Sequence, residues 1–574
     1  MGPAILRTTL LSVCLTGVSL GFGAQDALAQ TRQELELPKE SAPTSGFEVQ
    51  VERDANLRPN CPFEGQGLST DLTGVSFLEP GGIQISPEIA QTLARINIPT
   101  GTQPLSVVCD IRDAANQALR RDGWIATVQI PQQELQDNLQ LNVISARLSE
   151  VRIIGDPGPY RSMLEKQLKD LQALSPLNEK DAERILLNIA DVPGMELRMA
   201  LAPSGGTPGE VIGNLSVSYE PYAVYLNARN YNSERIGRET AYGRFEYYGL
   251  TGLADMTYVG AQTTFDFKEQ FIAQLGHEFG LGKRGIRVGG DVTFAKSNPD
   301  IENLDLETDA LLANLRVKYP LLRTSRALAG VTLGFDYIDQ STDVAGFALS
   351  EDAIRALYLR GDITGTRQAP GASAVFSYDG FLEMRKGLNI MGATEITDSG
   401  TAFTDGVSAS RPFGEGDSFI ARGGLGVNAS LGRYLGASAR TEMQWADNPL
   451  LNYDEYSLGN LSIGRGYDPG ANSGDRALGG AFELSANVIQ GSRPNVQLFG
   501  FYDIVQVENL DFGTPDPKRT LASTGGGVRI SLGRDVRAEL TYAKPLDLAI
   551  FSDKEKPPER FMFSITTKFP ATFR

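Results

Sequence analysis

The chain has 574 residues, with 53 Lys and Arg against 70 Asp and Glu, and its formal charge of −17 provides no basic footprint for nucleic acid. It carries a single histidine, His277, set between Gly276 and Glu278 in a strand-like run, which excludes a multi-histidine metal site and leaves a Ser-His-Asp triad one possible base. Without a Gly-x-x-x-x-Gly-Lys-Ser/Thr loop the sequence also offers no nucleotide site, so the expectation is a protein with no catalytic residues, no cofactor and no metal.

The first element is MGPAILRTTLLSVCLTGVSLGFGAQDALA (1–29), with an early arginine, a short apolar stretch and small residues before Gln30. It reads as a secretory signal peptide. No later segment offers eighteen uninterrupted apolar residues, so a membrane span, if present, is not helical. Export leaves Cys61 and Cys109, a pair that suggests one disulfide, with two free thiols as the open alternative. Residues 30–46 are polar and end in Pro, Thr, Ser and Gly, which suits a short helix or disordered arm leading into a linker.

From 47 to 146 the pattern predicts a small α+β domain. TGVSFL (73–78) reads as a strand, SPEIAQTLARI (86–96) as a serine-capped helix, and SVVCDIRDAANQALRRDG (106–123) as a helix with Val108, Ile111, Ala115 and Leu119 on one face. Strands WIATVQI (124–130) and LQLNVIS (139–145) follow. The same order then repeats over 147–219: strand LSEVRIIG (148–155), helices YRSMLEKQLKDL (160–171) and NEKDAERILLNIADVPG (178–194), strands MELRMALAP (195–203) and GNLSVSYE (213–220). Two consecutive copies of one supersecondary unit define the organisation of this half.

Beyond residue 220 the period changes to two. RFMFSITTKF (560–569) alternates Phe561, Phe563, Ile565, Thr567 and Phe569 with Met562, Ser564, Thr566 and Lys568, and GVRISLGRDVRAELTYAKPL (527–546) alternates in the same way twice. A soluble β-sandwich also alternates, but about 355 residues of such strands in one exported block fit a closed transmembrane barrel, in which every backbone donor is paired without an edge. At about 22 residues per strand and connection, that length makes roughly 16 antiparallel strands.

The motifs now on the page resemble the outer-membrane transporters of two-partner secretion, the ShlB/FhaC/HecB-type haemolysin secretion/activation family of the Omp85 superfamily. The resemblance is carried by NCPF around Cys61, SVVCDI around Cys109, GWIATVQIPQQELQDNLQLNV, AERILLNIADVPGMELRMALAPSGGTPGEVIGNLSV, VKYPLLRTSRALAGVTLGFDYID and NSGDRALGGAFEL. It implies that 47–146 and 147–219 are POTRA domains and that 220–574 is the barrel, with a loop near 459–475 inserted into the lumen. The family's Val-Arg-Gly-Tyr loop tip is matched by Arg465, Gly466 and Tyr467, with Gly464 at the valine position. Its barrel-strand partner, Phe-x-Asp-x-Gly, is matched by Phe501 and Asp503, with Val505 in place of the glycine. Phe501, Asp503 and Val505 share a strand face, and a charge there belongs in the lumen because facing lipid is costly.

The function implied is capture of an unfolded exoprotein, through its N-terminal secretion domain, at periplasmic POTRA domains and export through the barrel. The other expected partners are outer-membrane lipid and, during biogenesis, the barrel-assembly machinery. A barrel-assembly insertase is the alternative within the superfamily, and a passive porin, which needs no receiving domains, the alternative outside it.

Overall fold

The computed structural model describes residues 30–38, 48–51, 61–65, 67–133, 138–300, 304–368, 375–398, 400–491, 494–514, 517–533 and 535–570. The signal peptide read at 1–29 lies outside them. No helix among the described residues is long and apolar enough to cross a membrane.

Ahead of the barrel stand two small α+β modules with one wiring. In the first, strand Gly74–Glu79 runs parallel to Asn138–Ser145, which pairs antiparallel with Ala126–Gln129. In the second, Arg147–Gly155 runs parallel to Glu210–Tyr219, which pairs antiparallel with Met195–Pro203. Each sheet therefore puts its last strand in the middle, and each is covered by two helices, Pro87–Leu93 and Val107–Asp122 in the first, Arg161–Gln172 and Glu179–Ala190 in the second. Helix Val107–Asp122 forms because Val108, Ile111, Ala115 and Leu119 fall on one buried stripe, and it stops at Gly123, whose φ of 90° a residue with a side chain rarely adopts. The first helix ends at Leu93, short of the expected Ile96.

Strand Glu48–Val51, which the sequence places at the start of the first unit, pairs parallel with Met195–Pro203, from Glu48 opposite Arg198 to Val51 opposite Leu201. It extends the sheet of the second module, because that sheet has an edge available and four residues of extended chain suffice to satisfy it.

Sixteen antiparallel strands, from Tyr222–Arg229 to Arg560–Pro570, make a closed barrel. The first strand closes on the last, from Ala223 opposite Pro570 to Arg229 opposite Ser564. Alternation sets the two faces: on Asn495–Glu508, Phe499, Phe501, Asp503, Val505 and Val507 are buried inward while Leu498, Tyr502 and Ile504 are exposed outward. The outward ring includes Leu315, Leu484 and Phe561, which are 67%, 70% and 76% exposed. Lipid is the solvent in which such a surface is favourable, and closure pairs the backbone that lipid cannot solvate. The second module sits against the turns at the proximal end of this barrel: Tyr160 donates to the Asp255 carbonyl (3.3 Å), Tyr219 to the Tyr248 carbonyl (2.6 Å), and Lys283 pairs with Asp170 (2.7 Å).

Candidate functional site: a lumen filled by a loop and an N-terminal segment

The connection between strands Leu435–Ala446 and Arg476–Gln490, residues 447–475, leaves the distal end of the barrel and folds back inside. Its side chains explain the descent. Tyr456, Leu458, Ile463 and Tyr467 form an apolar cluster with Val505, Val507 and Leu521 on the inner wall. A short hairpin, Tyr456–Leu458 with Asn472–Gly474, stiffens the stem.

At the tip, Arg465 meets Asp503. Its backbone N–H and Nε donate to one carboxylate oxygen at 3.0 and 2.9 Å, and one terminal nitrogen donates to the other at 2.7 Å. The remaining nitrogen reaches Glu483 at 3.1 Å, and the guanidinium lies 3.6 Å from the centroid of the Phe501 ring. Planar, forked donors on an acceptor-only carboxylate with an aromatic face beneath make full use of arginine's geometry. Burial by itself lowers the Arg465 pKa, and the Asp503 and Glu483 carboxylates more than reverse this, holding the group above its ordinary value. Glu483 is shared with Arg529, so the contact belongs to a network on three strands.

Gly466 is required by space. A Cβ there would lie 2.7 Å from the Ser523 side chain and 2.8 Å from the Pro545 nitrogen. Tyr467 is fully buried; its hydroxyl donates to the Ala522 carbonyl (2.9 Å) and accepts from the Asp547 N–H (3.1 Å). Asp468, the next residue, accepts from Arg238 (2.7 Å) and Arg560 (2.8 Å), which tie the tip toward the seam between first and last strands. The two departures from the motif also have physical reasons. Gly464 has φ of 117°, which a valine would adopt only with strain, and Val505 is 1% exposed in the cluster that Ile463 fills.

A second occupant is the N-terminal segment. Thr31 and Glu34 cap a four-residue helix, Arg32–Leu35: the Glu34 carboxylate accepts from the Thr31 N–H (3.1 Å) and hydroxyl (3.0 Å). Leu35 is 2% exposed and packs with Ile272, Ala310, Ile338 and Ile354 of the wall and Leu451 of the inserted loop. Three amides hold the backbone: Gln270 donates to the Glu34 carbonyl (3.4 Å), and Gln340 and Asn452 donate to that of Gln30 (3.2 and 3.3 Å). Burial pushes the Glu34 carboxyl above its ordinary pKa, against the hydrogen bonds from Ser233 and Thr31. Beside this segment lies a cavity of about 540 Å³ lined by Arg32 and Glu36 and by wall charges of both signs, among them Arg316, Asp336, Glu383 and Arg422.

The remaining sites are elsewhere. Cys61 and Cys109 are bonded, with Cα atoms 5.8 Å apart, in the first module. His277 faces away from the lumen-side Glu278, its Nδ1 2.8 Å from the Thr257 hydroxyl. Two features have no counterpart in the sequence analysis: the lumenal position of Arg32–Leu35, for which Thr31-x-x-Glu34 was a usable capping signal, and Arg411, the largest fully buried side chain, which sits in an irregular loop without periodicity to announce it.

The match to the family of haemolysin secretion/activation proteins ShlB/FhaC/HecB runs over residues 212–530, more than half of the chain. The protein belongs to this family. Its fold is similar to those of CdiB from Escherichia coli, at 16% identity with 95% of each chain covered and a TM-score of 0.69, and CdiB from Acinetobacter baumannii, at 15% identity with 91% of this chain and 95% of that one covered and a TM-score of 0.61. A comparison with curated protein sequences gives no match. As a ShlB/FhaC/HecB-family member it is a two-partner secretion transporter of the Omp85 superfamily, a β-barrel of the bacterial outer membrane.

Proposed function

We propose that the protein captures one unfolded exoprotein at its N-terminal modules and passes it through the barrel to the cell exterior. In this reading residues 61–146 and 147–219 are POTRA domains facing the periplasm, the distal loops are extracellular, and Arg465-Gly466-Tyr467 with Phe501 and Asp503 is the lock that keeps the inserted loop in the lumen. The observation that carries the reading is the lumen itself. It holds two segments, a loop and an N-terminal arm, and beside them a cavity of about 540 Å³ whose wall mixes charges of both signs with apolar and aromatic side chains such as Leu312, Ile338 and Tyr358, so that an extended polypeptide finds polar partners along it.

Strand addition is the mode of capture that the second module's sheet favours. The edge strand Met195–Pro203 already accepts Glu48–Val51 of the same chain, and a client segment with suitable apolar side chains would take that edge in its place. No nucleotide enters the scheme, and folding of the client outside supplies the direction. Deleting residues 147–219 is expected to abolish secretion while a heat-modifiable barrel remains in the membrane; normal secretion by that variant would overturn capture at the second module.

A further inference from the structure

The tip of the inserted loop is fixed by Arg465, but a second arginine lies at its root. Arg411 belongs to a different connection, residues 388–418 between strands Val375–Gly387 and Phe419–Leu431, and its side chain is 1% exposed. It donates to the Leu450 carbonyl (2.8 Å) and pairs with Glu455 (2.8 Å) and Asp475 (2.5 Å), which flank the inserted loop at its two stems. It also pairs with Asp511 of the next distal connection, 509–517. Asp475 is fully buried and accepts in addition from the Leu450 and Leu510 N–H groups at 2.7 and 2.6 Å. Three successive distal loops thus converge on one guanidinium.

We propose that Arg411 is a positioning residue of the transporter, a clamp that ties these loops across the distal mouth, so that a polypeptide leaves only after the clamp opens. The inference rests on the conduit reading above. Its physical ground is cost. Taking a guanidinium and two carboxylates out of water, with a third partly withdrawn from it, is expensive, and the barrel does not need them for closure, since its strands are already paired through their backbones. A buried ionic cluster that joins loops instead of strands holds one arrangement of those loops and, being polar, regains water when they part. The neighbouring Ser410 anchors the same segment to the wall, its hydroxyl and N–H donating to Asp352 at 2.5 and 2.8 Å. That hydroxyl also accepts from the Asn452 N–H (3.2 Å), and the Asn452 side chain donates to the Gln30 carbonyl, so the clamp and the N-terminal segment are successive barriers linked through Ser410 and Asn452.

The test uses the full-length protein and the same protein lacking residues 30–38, each in planar bilayers. Arg411→Met and Asp511→Ala are expected to raise the open-channel conductance several-fold over the parent lacking 30–38, with heat-modifiability unchanged. Asp511→Ala keeps the test valid if Arg411→Met does not fold, because Asp511 is the partly exposed partner. A cysteine pair at Glu415 and Pro449, whose N–H and carbonyl are 2.9 Å apart across two of the loops, is expected to stop secretion when oxidised and to restore it on reduction, with the parent under the same reductant as control for the native disulfide. Parental conductance in both variants, or parental secretion through the oxidised pair, overturns the clamp while leaving the conduit in place. Absence of any current from the protein lacking 30–38, with or without the clamp, overturns the conduit on which the clamp depends.

Discussion

Two segments occupy the same lumen and are held there by different chemistry. The inserted loop is anchored by ions: Arg465 on Asp503 and Glu483, Asp468 on Arg238 and Arg560, with Tyr467 buried between strands. The N-terminal segment is held mainly by three side-chain amides on its backbone carbonyls and by Leu35 against Ile272, Ile338 and Ile354, with Arg32 facing Glu383 across the cavity without a direct ion pair to it. A charge-assisted, forked contact leaves an unpaired buried ion when broken, whereas a neutral amide bond is replaced by water at little net cost. We infer from this contrast that the loop is the more firmly fixed of the two and the arm the more readily displaced. Charge also fits this division, since Glu34 is a buried carboxyl whose ionisation works against its own seat.

The largest expected effect comes from breaking the loop's anchor. Arg465→Ala and Asp503→Ala each leave a partner charge of a mostly buried pair, a loss of about 3 kcal/mol, and each should impair secretion while membrane insertion persists. The double substitution should be little worse than either single one, because both remove the same contact; additive losses in a double-mutant cycle would show that the residues act separately. Next comes the arm. Leu35→Ala removes its apolar anchor at about 2 kcal/mol, which should raise the frequency of channel openings in bilayers and leave secretion intact. If that variant fails to secrete, the arm is as integral as the loop and the contrast disappears.

The smallest effect is a pH dependence. The seated Glu34 carboxyl has its pKa raised by burial, so seating is favoured below the ordinary glutamate range and that contribution is lost as pH rises through the seated value. Glu34→Gln keeps an acceptor oxygen for Thr31 without the charge. Openings should be rarer than in the parent at neutral pH, and the two proteins should converge in acid. Asp468 of the inserted loop, itself paired with Arg238, faces this carboxyl and adds to the upward shift, so the dependence should weaken in Asp468→Asn.

Sequence by itself determined the elements whose physics is local or periodic. The period-two alternation fixed which residues of Asn495–Glu508 face lipid and which face the lumen, because side chains on a strand have only two directions to take. The repeated order of strand, helix, helix, strand, strand made the two modules legible, since each unit closes its core with its own neighbours in the chain. Only the tertiary structure decided what fills the barrel. Arg32–Leu35 lies far along the chain from Gln270 and Gln340, Arg411 from Asp475 and Asp511, and Glu48–Val51 from the sheet edge it completes. None of these partners is set by spacing or periodicity: Glu48–Val51 is set by the open edge of the second module's sheet, and the other two by closure of the cylinder, which brings distant residues to one lumen and leaves a short polar segment or an isolated arginine no better place to satisfy its charge and its backbone.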